Sequence, residues 1–131
     1  MENRVLNPWT WQDRFGFVQA KEVIGAERTL YCAGQTSVDE HGQALHEGEM
    51  QAQAMQALDN LETVLREAGF ELSDIARLNV YVTDVEAYRE AAPAVGTRLA
   101  QSGVRQAATL LGVARLALPQ LLIELEATAV R

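Results

Sequence analysis

The sequence predicts an α+β fold, two helices packed on a mixed sheet, and three stretches carry that expectation. In "IARLNVYVT", Ala76, Leu78, Val80 and Val82 alternate with Arg77, Asn79, Tyr81 and Thr83, the period of a strand with one buried face. In "LLIELEATAV", Ile123, Leu125, Ala127 and Ala129 alternate in the same way with Leu122, Glu124, Glu126 and Thr128. From Glu49 to Ala68 the period changes, with Ala54, Leu58, Leu61, Leu65 and Ala68 three or four apart, which makes one apolar stripe on a helix.

The remaining elements follow in chain order. "FGFVQAKEVIGAERTLYCAGQTS" predicts strands over Phe17 to Val23 and Thr29 to Ala33, turned at Gly25 into a hairpin. "VDEHGQALHEGEM" is a polar loop punctuated by Gly42 and Gly48. Gly69 is placed to end the first helix. Thr83 and Glu86 have capping-box spacing at the start of the second helix, Pro93 predicts a kink or early break in it, and Gly103 closes it near Gln101. Two strands, about Ala107 to Leu111 and Leu121 to Val130, flank "GVARLALPQ". The order is strand, strand, helix, strand, helix, strand, strand. Two helices cover one face of such a sheet, while Leu122, Thr128 and Val130 leave its other face partly apolar, so a partner subunit is expected there.

At 131 residues the chain fits one domain able to bury its own core. The net charge of -7, with 11 scattered Lys and Arg, disfavours nucleic acid as a partner. The single cysteine, Cys32, precludes an internal disulfide. No apolar run approaches the ~18 residues of a membrane helix. "MENRVLNPWTWQDRFGF" lacks the apolar core of a signal peptide, so a cytoplasmic protein without membrane contact is expected.

The order of elements, with "AGQTSVDEHGQ", "AQAMQALDNLETVLREAGFELSDIARLNVYVTDVEAY" and "GVARLALPQLLIELEATAVR", resembles the Rid family, also called YjgF or L-PSP. The resemblance runs from about Phe15 to Arg131, a single Rid-like domain of which residues 1–14 are an N-terminal segment and 15–131 the core. It implies a chorismate-mutase-like subunit, a homotrimer around a central barrel, and clefts between subunits. Active members hydrolyse enamines and imines such as 2-aminoacrylate to a keto acid and ammonia, without metal or organic cofactor. An arginine holds the substrate carboxylate there, and a glutamate of the last strand holds the water.

Position by position, the water-holding glutamate falls on Glu124 and the glycine of the second strand on Gly34. The arginine position falls on Ala108, and those of a cysteine, an asparagine, a serine and a tyrosine fall on Leu110, Ala92, Ala33 and Phe17. Alanine cannot replace the two parallel charge-assisted bonds of a guanidinium to a carboxylate. Arg105, three positions before Ala108, is expected on the opposite strand face, and Arg115 in "VARL" is read as structural. The implied function is therefore a trimer that binds a small, fairly apolar metabolite with the usual 2-imino-acid deaminase chemistry lost or altered. The alternative is an imine or enamine deaminase using a water on Glu124.

Glu124 itself allows two readings: a carboxylate paired at a subunit contact, or a desolvated one whose raised pKa suits it to activate water. Glu126 is read as structural and Cys32 as a buried, inert thiol. His41 and His46 are read as solvated loop residues, since a metal would need more ligands in a rigid shell. Neither they nor any basic stripe suits ribonuclease chemistry, which has been described for some Rid relatives. Trp9 and Trp11 in "NPWTWQDRFGF" are expected either to pack on the rim of the core or, with Phe17, Ala92, Ala108 and Leu110, to wall an apolar cleft for a neutral or aromatic ligand.

Overall fold

A computed structural model describes every residue from Met1 to Arg131. The strands are β1 (Glu2–Leu6), β2 (Ala20–Ile24), β3 (Thr29–Tyr31), β4 (Gln35–Thr36), β5 (Ile75–Val82), β6 (Ala107–Gly112) and β7 (Ile123–Val130), and the helices are α1 (Met50–Glu67) and α2 (Val85–Ser102). β7 is central. It pairs antiparallel with β5 on one side and with β3 and β4 on the other, and β6 runs parallel to β5 through the α2 crossover. This is the mixed α+β sheet with two helices that the periodicities predict. Ile123, Leu125, Ala127 and Ala129 are buried against the helices, together with Leu58, Leu61 and Leu65 of α1. Each fully buried Leu of this kind is worth about 2–5 kcal/mol against Ala.

Both helix ends follow from local chemistry. α1 ends in a Schellman turn, in which Gly69 at φ 79° donates to Arg66 O (2.9 Å) and Phe70 to Leu65 O (2.8 Å). The cap of α2 lies one residue later than expected: Asp84 Oδ1 accepts from Ala87 N at 3.0 Å, while Thr83 N donates to Leu122 O. Pro93 does not break α2, which is continuous through Ser102. Both Pro93 and Arg89 are exposed, so the Arg89 carbonyl that loses its donor can turn to water.

The N-terminal third departs from expectation. β2 starts at Ala20, three residues after Phe17, and forms no hairpin with β3. It pairs instead with β1, in register from Glu2 opposite Ile24 to Leu6 opposite Ala20. β1 is exposed along almost all its length, so it has no buried face to leave a period in the sequence. β3 is drawn to β7 because Leu30 lies beside Ala129 on the core side and because Glu27 N and Arg28 N both donate to Arg131 O at 2.8 Å.

Candidate functional site

The segment between β1 and β2 is sewn to the edge of β6. Val18 N donates to Gln106 O (3.0 Å), Gln106 Nε2 donates to Gly16 O (3.0 Å), and Gln19 Nε2 donates to Oε1 of the fully buried Gln12 (3.1 Å). These bonds set Phe17 over the open edge between β6 and α2. There a partly open cavity of about 360 Å³ lies, ten of its fifteen lining residues being hydrophobic. Phe17, Ala92, Ala108 and Leu110 all line it. Their meeting has a simple origin in register: Ala108 lies beside Leu78 and Leu110 beside Val80, so both share the helix-facing side of the sheet with Ala92 of α2.

Glu124 and Gly34 lie elsewhere. Glu124 alternates with Ile123 and Leu125 and so projects from the opposite face of the sheet. Gly34 sits beneath its carboxylate: a Cβ there would collide with Glu124 Oε1 and lie 2.6 Å from Cδ and 2.9 Å from Cγ. Ala33 precedes it, exposed, with its carbonyl accepting from Gln35 Nε2 at 3.2 Å. The expected cleft residues thus form two groups on opposite faces, Phe17, Ala92, Ala108 and Leu110 in one and Ala33, Gly34 and Glu124 in the other.

Glu126 is the paired carboxylate of β7. Its Oε1 accepts from Asn79 Nδ2 (3.0 Å) and from Tyr81 OH (2.8 Å). Those two donors, Asn79 first, hold its pKa below the ordinary carboxylate value, and the same bond to Glu126 raises the Tyr81 phenol. Burial raises the Cys32 thiol, which suits an inert cysteine, and burial likewise raises the Tyr88 phenol.

Trp9 and Trp11 are not core residues: they are 60% and 58% exposed in the chain. Trp11 stands edge-on to Phe17 (6.0 Å between centroids) and to Phe15 (6.4 Å), so it buttresses the cavity from outside, while Trp9 does not reach it. An indole at the mouth of an apolar hollow that is itself incompletely closed, as Trp11 is, has no core to enter. Arg105 precedes β6 rather than lying within it, and with Asp13 it borders an adjoining hollow that shares Gly16, Phe17, Gly96 and Leu99 with the 360 Å³ cavity, whose own lining does not include Arg105. Its charge adds to the burial that lowers the pKa of Lys21. Arg115 is exposed.

His41 pairs with Glu40 at 3.4 Å on the surface and borders a hollow of about 630 Å³, an open groove along α1 with three hydrophobic residues among ten. No group of three or more His, Cys, Asp or Glu side chains is arranged to hold a metal ion. No helix is long and apolar enough to cross a membrane.

Sequence reasoning missed three polar residues that the fold puts to use. Gln53, fully buried in α1, donates to Gln120 O (2.9 Å) and accepts from Leu122 N (2.8 Å), which fixes the chain just before Glu124. Gln106 and Arg89 line the cavity. A polar residue at an apolar stripe position, as Gln53 is between Met50 and Ala57, was the available signal; Arg89 and Gln106 carry none.

Comparisons with known proteins agree with this architecture. The family model described as Endoribonuclease L-PSP matches residues 14–131. A RutC family protein of Sulfurisphaera tokodaii is 32% identical over 69 residues, 53% of this chain and 55% of that protein. The crystal structure of YyfB from Yersinia pestis, a protein of unknown function of the conserved Rid protein family, is similar over 100% of both chains, at 37% identity and a TM-score of 0.88. That of E. coli TdcF with bound serine is similar over 87% of each chain, at 25% identity and a TM-score of 0.71. The YyfB match takes in residues 1–14, which the family model leaves out but for the last. With nearly all of the chain matched by the family model and the whole of it by a Rid structure, this protein belongs to the Endoribonuclease L-PSP, or Rid, family.

Proposed function

We propose that the chain works as a homotrimer that binds a small, fairly apolar metabolite in clefts between subunits, with the family's usual 2-imino-acid deaminase chemistry altered. The observation that carries this reading is the division of the cleft residues between the two faces of one sheet. Within one chain, Glu124 cannot reach the cavity lined by Phe17, Ala92, Ala108 and Leu110; a second copy packed on the outer face can bring its own Glu124 to it. The outer face also offers surface to cover, since Tyr31 is 80% exposed and Leu111 49%. An apolar cavity suits a ligand with a hydrocarbon body, and serine bound to TdcF supports small amino-acid-like molecules as the class.

The second reading, imine or enamine hydrolysis, is favoured by the gap that Gly34 leaves for the Glu124 carboxylate. In it, Glu124 takes a proton from water as the oxygen bonds to the imine carbon. The nitrogen gains protons, the C–N bond breaks, and a carbonyl compound and ammonia leave. RNA fits poorly: a net charge of -7 repels it, and both histidines are exposed in a surface loop.

The test measures ammonia and carbonyl release from freshly generated imines, with and without a carboxylate, using native protein and Glu124→Gln, after the assembly has been sized by sedimentation. A trimer with turnover that Glu124→Gln abolishes supports the hydrolase reading. A trimer without turnover that retains an apolar ligand supports the binding reading. A monomer overturns both.

A further inference from the structure

Of the nine glycines, all but one have a reason within the chain to lack a side chain: six sit at positive φ, and a Cβ at Gly34 or Gly112 would run into Glu124 or Val85. Gly96 has neither reason. It lies in the interior of α2 without a positive φ, where glycine costs helix stability relative to alanine, and a Cβ built on it meets no atom within 4 Å. The space before it is the junction of two hollows, since Gly96 and Phe17 line both the cavity of about 360 Å³ and the adjoining one of about 450 Å³. The two differ in chemistry. Ten of fifteen lining residues are hydrophobic in the first and five of ten in the second, which alone carries an acid and a base, Asp13 and Arg105. Both are exposed, and the Asp13 carboxylate accepts a bond from Gln12 Nε2 at 3.3 Å.

We propose that Gly96 determines specificity by keeping this junction open, so that the ligand spans both hollows: an elongated molecule with its apolar body between β6 and α2 and a neutral amide end between Asp13 and Arg105. A charged end is attracted by one of those two residues and repelled by the other. An amide satisfies both, its N–H donating to the carboxylate and its carbonyl accepting from the guanidinium, each a charge-assisted bond. Any larger side chain at position 96 would project into the space through which such a ligand passes, so the glycine serves the ligand rather than the helix. This inference rests on the cavity being the ligand site of the proposed function.

Four probes separate its parts: 3-phenylpropanamide fits the first hollow alone, 6-phenylhexanamide reaches the second, and 6-phenylhexanoate and 6-phenylhexylamine replace the amide by a charge of either sign. Binding to the assembled native protein is followed by calorimetry and by amide NMR shifts at Ala108, in the first hollow, and Gly103, in the second. The short amide is expected to shift Ala108 only. The long amide is expected to shift both and, with three more methylenes buried, to bind about tenfold more tightly, ahead of the acid and the amine. Gly96→Leu is expected to remove that gain and the shift at Gly103 while the short amide still binds. Gly96→Ala is expected to raise the Tm by about 2–4 °C, since the chain does not need the glycine. A long amide no tighter than the short one, with shifts confined to Ala108, overturns the inference and leaves the cavity as the site. A charged probe tighter than the long amide overturns the neutral end. A lower Tm for Gly96→Ala, or altered sedimentation, shows that the glycine serves packing within or between copies and overturns its role in specificity. No shift at Ala108 with any probe overturns both the inference and the reading on which it rests.

Discussion

Replacing Gln53 by Met removes two hydrogen bonds from a fully buried position while keeping nearly the same side-chain length. The native amide donates to Gln120 O at 2.9 Å and accepts from Leu122 N at 2.8 Å. Methionine leaves both backbone groups without a partner, at a cost of about 1–3 kcal/mol each, reduced where water can reach them. Gln120 is half-exposed, so its carbonyl finds water; Leu122, next to the fully buried Ile123, does so less easily. A total of about 2–4 kcal/mol follows. With an unfolding entropy of about 2.1 cal/mol/K per residue, that lowers the Tm by about 7–15 °C for a chain of this length. Thermal unfolding by circular dichroism at one protein concentration measures it, and hydrogen exchange at the Leu122 amide should quicken in parallel. A Tm within about 2 °C of the native value, with exchange at Leu122 unchanged, would refute the idea that α1 holds the entry to β7 through this side chain.

Gly34→Ala sets a Cβ against the Glu124 carboxylate, whose Cδ would stand only 2.6 Å away. Because Glu124 is half-exposed and can swing aside, stability should fall by less than about 1 kcal/mol while any function that needs Glu124 in place is lost; a crystal structure with the carboxylate unmoved would contradict this. Glu126 should titrate below the usual carboxylate pKa, and Tyr81→Phe, which removes one of its two donors, should bring it part of the way back up, as read by side-chain NMR. The sign follows from the lowered folded pKa: the stabilisation is fully present above the unfolded value and is lost as the pH falls through the folded one. Cys32 should react with a thiol reagent far more slowly in the folded protein than after denaturation, since it is buried and its thiol is shifted up; equal rates would mean that β3 opens readily.

The sequence by itself determined the elements that bury one face. α1, β5 and β7 sit within a residue or two of their expected bounds, because burial against a core imposes a period that the residues must obey. The partition of β7 was legible for the same reason, with Ile123 to Ala129 in the core and Glu124 and Glu126 outside it. β1 was not legible, because an exposed strand needs no apolar period; nor was its pairing with β2, because partner choice depends on where the chain returns in space. Pro93 predicted a break that solvent at the Arg89 carbonyl makes unnecessary.

The candidate site divides in the same way. Local alternation told which side chains of a strand share a face, but only the tertiary structure decided that Phe17, Ala92, Ala108 and Leu110 surround one cavity while Gly34 and Glu124 lie across the sheet from it. The roles of Gln53, Gln106 and Arg89 belong wholly to that level. A buried amide or a guanidinium at a cavity mouth is defined by what stands opposite it, and nothing in the neighbouring residues of the chain encodes that partner.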